Sequence, residues 1–129
     1  MVMVTGGHGQ GQSDFGEKLA KENNASCKVA DCGTCSFDEP MKAGFIKDYH
    51  RLVKRLIEHG EDTAEYTRRL VETNPGAVIT VDEVGCGVVP IEASAREYRE
   101  TVGRMSCIIA ASSEEVYRMY CGIPSKIKG

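Results

Sequence analysis

The clearest chemistry in the chain lies near its start, in the run Gly6, Gly7, His8, Gly9, Gln10, Gly11, Gln12 and Ser13. This run fits G-x-x-x-x-G-[K]-[ST] at every fixed position except the lysine, which is Gln12. In such a loop, backbone N–H groups and the first helical turn wrap around phosphate oxygens, and the glycines permit the close approach. Ser13 retains the hydroxyl that the motif offers to Mg²⁺. Gln12 can donate hydrogen bonds, but it places no positive charge beside a triphosphate. If the lysine is worth one preorganised oxyanion donor, its loss costs roughly 3 to 4 kcal/mol of transition-state stabilisation. Lys126 and Lys128 are candidate replacements for that charge. His8, inside the loop, is read either as a ligand contact or as a core residue.

Further candidates sit where strands end. Asp31 closes one apolar run and is read either as a residue that holds Mg²⁺ through water or as a cap on the loop that follows. Asp82 and Glu83 close a second run, residues 77–81. A carboxylate there must find a partner or pay for its desolvation. His50 is flanked by Asp48, Arg51 and Arg55. It has two readings: a nucleophile, or a half-buried helix histidine, which the surrounding apolar stripe favours. His59 precedes Gly60 and suits a helix C-terminus.

The elements needed to hold these residues follow from the pattern. Residues 2–5 form a short β-branched strand running into the loop, and a helix follows from Ser13 to about Asn23. Residues 27–31 read as a strand and 32–40 as a loop. The spacing of Phe45, Ile46, Tyr49, Leu52, Val53, Leu56 and Ile57 predicts one amphipathic helix over 41–59. A shorter helix over 61–72, a buried strand over 77–81, a helix over about 91–111 and a last strand over 116–121 complete the series. Strands alternating with helices imply an α/β fold, a mostly parallel sheet with helices on both faces, in a single nucleotide-binding domain of the P-loop type.

Three blocks carry a family likeness. The opening VTGGHGQGQS, the stretch VDEVGCGVVP with the later AREYRETVGR, and the ending CGIPSKIK together resemble the adenosylcobinamide kinase and guanylyltransferase family of cobalamin biosynthesis. The opening MVMVTGG has no basic or long apolar stretch for export, so a cytoplasmic protein is the expectation. The resemblance implies an enzyme that uses ATP or GTP with Mg²⁺ to phosphorylate a corrinoid, adenosylcobinamide, and then attaches GMP through a guanylyl-histidine. It also implies a homo-oligomer, with a trimer as one form. Under it Glu83 matches a family glutamate, Arg96, Arg99 and Arg104 match family arginines, and His50 is the histidine left to be guanylylated. Candidate catalytic positions are therefore Glu83, Gln12 and His50, with Ser13 and Asp31 for the metal. A binding protein without transfer chemistry is the alternative, because Gln12 replaces the lysine and the middle of the chain is short for the family.

Composition narrows the classes. The chain has 129 residues, 41% hydrophobic and 27% charged, with a formal net charge of −3, which argues against a sequence-independent nucleic-acid binder. Its apolar runs are far shorter than the roughly 20 residues of a membrane span. Six cysteines are too few for a disulfide scaffold, and Cys32 and Cys35 form a CxxC with no second pair to complete a zinc site.

Overall fold

The computed structural model describes residues 1–85 and 92–129. The predicted loop residues 86–90 and the predicted start of the fourth helix at Ile91 lie outside them. In chain order the elements are β1 (Val2–Gly6), α1 (Gln12–Asn23), β2 (Val29–Asp31), β3 (Phe45–Lys47), α2 (Tyr49–Glu58), α3 (Thr63–Thr73), β4 (Val78–Asp82), α4 (Ala93–Ser112), β5 (Glu115–Tyr120) and β6 (Ile123–Lys128). The six strands make one sheet in the order β2-β3-β4-β1-β5-β6. All neighbours are parallel except β5 and β6.

Strand alternation divides the core into two layers. Val4, Phe45, Val78 and Met119 pack with Ala20, Phe15 and Leu19 of α1 on one face. Met3, Ile46 and Ile79 point the other way, against Tyr49, Leu52, Leu56, Leu70 and Ile109 of α2, α3 and α4. The mostly parallel sheet with helices on both faces is as the sequence implies. Close packing of α1 depends on Gly16: a Cβ there would lie 2.6 Å from Thr80 Cγ2 and 2.9 Å from Phe45 Cε1.

Two elements depart from the sequence-based expectation. The single helix expected over 41–59 is a 3-10 turn at Glu39–Met41, strand β3 and then α2. Phe45 and Ile46 fit a helical period, yet they face opposite sides of the sheet. The direct step from strand to helix is made at Asp48, whose φ of 59° is left-handed and whose N–H donates to Thr80 Oγ1 at 2.8 Å. Only Lys47 and Asp48 mark that junction in the sequence, too short a polar stretch to break the helical period. The second departure is β6, which folds back on β5 through Cys121 and Gly122, both with positive φ (50° and 78°). Two such residues in succession suit the tight hairpin turn that matches strand twist. Pro124, Lys126 and Lys128 blunt the resulting edge strand.

Gly16→Ala is expected to destabilise the protein by about 1–3 kcal/mol, because neither the β-branched Thr80 nor the buried Phe45 can give way cheaply. Urea denaturation of the two proteins measures it.

Candidate functional site

The loop between β1 and α1 is held open by backbone geometry. Gly9 and Gly11 have φ of 74° and 99°, and Gly11, as the residue preceding α1, makes no side-chain cap. The first N–H groups of α1 are thus left to a ligand or water. Gln10 fixes the loop to the β5–β6 turn: its carbonyl accepts from Gly122 N–H at 2.9 Å and its Oε1 from Cys121 N–H at 2.8 Å.

A second helix N-terminus meets the first. Because β3 lies beside β4, and β4 beside β1, the start of α2 is brought to the same end of the sheet as the loop. His8, Gly9, Gly11, Gln12, Ser13 and Asp14 line one side of a cleft of about 240 Å³, and Asp48, His50, Arg51 and Asp82 line the other. Two converging helix N-termini with bare N–H groups favour anions. A single arginine, Arg51, adds to that attraction, while three carboxylates, Asp14, Asp48 and Asp82, oppose it.

Asp82 is the centre of the polar network. It ends β4 in register with Gly6, the last residue of β1, and its side chain is 14% exposed. Gln12 Nε2 donates to Asp82 Oδ1 at 3.1 Å and also contacts Gly6 O at 3.0 Å and Gly7 O at 2.7 Å. Three acceptors around one atom identify it as the amide nitrogen, which has only two hydrogens to share among them. Gln12 is 4% exposed, so the residue in the lysine position is folded back onto the loop.

Two histidines complete the network in complementary states. His50 Nδ1 accepts from the Asp82 backbone N–H at 3.2 Å, which leaves the ring proton on Nε2, 3.6 Å from Asp82 Oδ2. Burial pushes the His50 pKa below its ordinary value, opposed by the nearby Asp82 charge, so the ring is held neutral. His8 Nδ1 lies 3.2 Å from the same Oδ2, an acceptor, so Nδ1 carries a proton and, in the neutral ring, Nε2 carries the lone pair. The His8 side chain is 92% exposed.

The donor set fits a hard cation. Ligand atoms of Asp48, His50 and Asp82 all lie within 4.8 Å of one another, but the His50 nitrogens are committed as described. What remains is oxygen: the two carboxylates and, across the cleft, the Ser13 hydroxyl, which suits Mg²⁺. Asp48 makes no capping bond to α2, so its carboxylate is not spent on the helix.

The structure gathers residues 6–13 and His50 into one site, but it places other expected residues elsewhere. Glu83 forms an ion pair with Arg118: Nη2 donates to Oε2 at 2.9 Å, while Nε sits 2.8 Å from Oε1 without being aimed to donate. It does not line the loop cleft, because the residue after Asp82 faces the other side of the strand end. Asp31, on the edge strand β2, accepts from Gly33 N–H at 3.0 Å and caps that turn. Lys126 pairs with Glu115 at 3.1 Å, and Lys128 donates to Ala110 O at 2.8 Å, the last turn of α4. Neither supplies the missing charge; among the described residues, the arginine lining the cleft is Arg51. Asp48 and the site role of Asp82 were missed. The adjacency of β4 to β1 would have favoured Asp82, but Asp48 needed β3.

Comparison with known proteins follows the C-terminal two thirds of the chain. A sequence model of the family described as cobinamide kinase / cobinamide phosphate guanyltransferase matches residues 43–127. The chain belongs to that family. Bifunctional adenosylcobalamin biosynthesis proteins CobU of Salmonella typhimurium and of Escherichia coli are each 41% identical to it over 51 residues, 40% of this chain and 28% of theirs. The matched stretch thus spans little more than a quarter of those relatives. The glycine loop precedes the family match, so its reading rests on its own geometry. No helix among the described residues is long and apolar enough to cross a membrane.

The neutral, buried His50 gives stability a pH dependence. Its folded pKa lies below the ordinary 6.5, so the unfolded chain takes up the proton first. Stability is therefore full above pH 6.5 and declines as pH falls from there towards the folded value. His50→Asn, which keeps an acceptor for Asp82 N–H but does not titrate, is expected to flatten that decline in urea denaturation between pH 7.5 and pH 5.

Proposed function

We propose that this protein is a nucleotide-dependent transferase of cobalamin biosynthesis that binds ATP or GTP with Mg²⁺ and passes a phosphoryl group to adenosylcobinamide, with guanylyl transfer as a second activity. The observation that carries this reading is the convergence of the glycine loop, Ser13, Asp48 and Asp82 at the carboxyl ends of β1, β3 and β4. That is where ligands bind in parallel α/β sheets. Family membership supports the substrate class.

In this reading the loop N–H groups and the start of α1 hold the phosphate chain, and Arg51 at the start of α2 meets its charge from the opposite wall. Ser13, Asp48 and Asp82 hold Mg²⁺, which when bound neutralises phosphate charge and orients the transferred group. Gln12 fixes the loop carbonyls and the Asp82 carboxylate in place. His50 orients that carboxylate from the other side.

The same carboxylates make the metal indispensable. Without a metal ion, Asp14, Asp48 and Asp82 repel a triphosphate that, among the described side chains, Arg51 attracts together with the helix N-termini. Calorimetric titration with ATP or GTP is expected to show binding with Mg²⁺ and none with a chelator. Ser13→Ala or Asp82→Asn should weaken it by at least about tenfold, the worth of one hydrogen bond to a charged group. Binding that is indifferent to Mg²⁺ and to both substitutions would sink the reading.

A second reading, a nucleotide- or corrinoid-binding protein without transfer chemistry, is favoured by one observation: the Gln12 amide turns back to Gly6, Gly7 and Asp82 and brings no charge to the phosphates. Cobinamide turnover separates the two. Phosphorylated product at wild-type Gln12 removes the second reading, and product only after Gln12→Lys removes the first.

A further inference from the structure

We propose that His8 is a covalent phosphoryl acceptor: the Asp82–His8 pair presents an unprotonated Nε2 from inside the phosphate loop to the terminal phosphorus of the bound nucleotide. This rests on the nucleotide-binding reading above.

The two histidines at Asp82 are not equivalent. His50 accepts a backbone N–H at Nδ1, so its Nε2 bears hydrogen and has no lone pair to offer; it is also buried. His8 is oriented the opposite way by the same carboxylate. With Nδ1–H directed at Asp82 Oδ2, the neutral ring keeps its lone pair on Nε2, and the side chain is exposed where it lines the cleft. A carboxylate behind a histidine fixes the tautomer and stabilises the positive ring that forms on attack, the logic of an oriented nucleophile or base.

The loop also indicates which phosphorus is met. The lysine position of a phosphate loop reaches the β- and γ-phosphates. Gln12 occupies that position, and its amide shares Asp82 with His8, one on each carboxylate oxygen. His8 therefore stands at the γ end of the site. A cationic phosphohistidine ring also restores, during transfer, some of the positive charge that Gln12 does not provide.

In the first half-reaction the Nε2 lone pair attacks the terminal phosphorus. The N–P bond forms, and the bond from phosphorus to the bridging oxygen breaks. Its electron pair leaves with the nucleoside diphosphate, while the Nδ1 proton stays shared with Asp82. In the second half-reaction an acceptor oxygen attacks phosphorus, the N–P pair returns to Nε2, and the acceptor proton goes to solvent.

The test is incubation of the purified protein with Mg²⁺ and ATP or GTP radiolabelled at the γ-phosphorus, beside calorimetric binding of the same nucleotide. Expected is an acid-labile, alkali-stable label on the peptide containing His8, discharged by added nucleoside diphosphate. His8→Asn, which keeps a donor to Asp82 on an exposed side chain, should bind nucleotide and lose the label. Binding without label overturns the inference and leaves the nucleotide site standing. Label that survives His8→Asn but not His50→Asn overturns it in favour of His50. In a parallel incubation with nucleotide labelled at the α-phosphorus, label retained from that position and not from the γ-phosphorus overturns the assignment of the terminal phosphorus. Absence of both binding and label overturns the nucleotide reading and this inference with it.

Discussion

A carboxylate withdrawn from water needs donors on every side, and Asp82 is such a group at the carboxyl end of β4. Its backbone is set by pairing with Gly6 and by donating its N–H to His50 Nδ1, and its side chain by Gln12 and His8. Each partner comes from a different part of the architecture: Gln12 from the start of α1, His8 from the glycine loop and His50 from the start of α2. The site exists only when β1, β3 and β4 lie side by side. This is why Gly16, outside the cleft, matters: it lets α1 sit close to the sheet, and α1 carries Gln12 and Ser13.

Replacing the lysine by glutamine changes what this network can do. An ammonium would bring a full charge and three donors to the place where Gly6 O, Gly7 O and Asp82 Oδ1 converge. The amide supplies two donors and no charge, so it preserves the loop but leaves Asp82 uncompensated. The positive potential of the cleft comes from two helix N-termini and Arg51. A histidine lies on each side of the carboxylate, and the groups they face set opposite tautomers in the two neutral rings.

Much of this was legible in the sequence, for physical reasons that can be named. The glycine spacing of residues 6–13 survives because the loop needs left-handed backbone at Gly9 and Gly11. The buried run before Asp82 reads as a central parallel strand because both of its faces are covered. Strand β3 was not legible: three residues placed in phase with the following helix give periodicity no break to detect, and the break is made by the backbone of Asp48. With β3 hidden, Asp48 and His50 could not be placed beside the loop, and the choice between Asp82 and Glu83 turned on likeness to a family glutamate rather than on which face of the strand end meets β1. Glu83 instead stabilises β5 through Arg118.

The central claim is that Asp82 organises the glycine loop by holding two histidines in opposite tautomers. The most direct measurement is a long-range nitrogen–proton NMR spectrum of the histidine rings at pH 7.5, recorded without and with Mg²⁺ and nucleotide. The account predicts His50 protonated at Nε2 in both states, and His8 protonated at Nδ1 with signals that move when nucleotide is added. His50 protonated at Nδ1, or His8 signals that ignore the nucleotide, would contradict it.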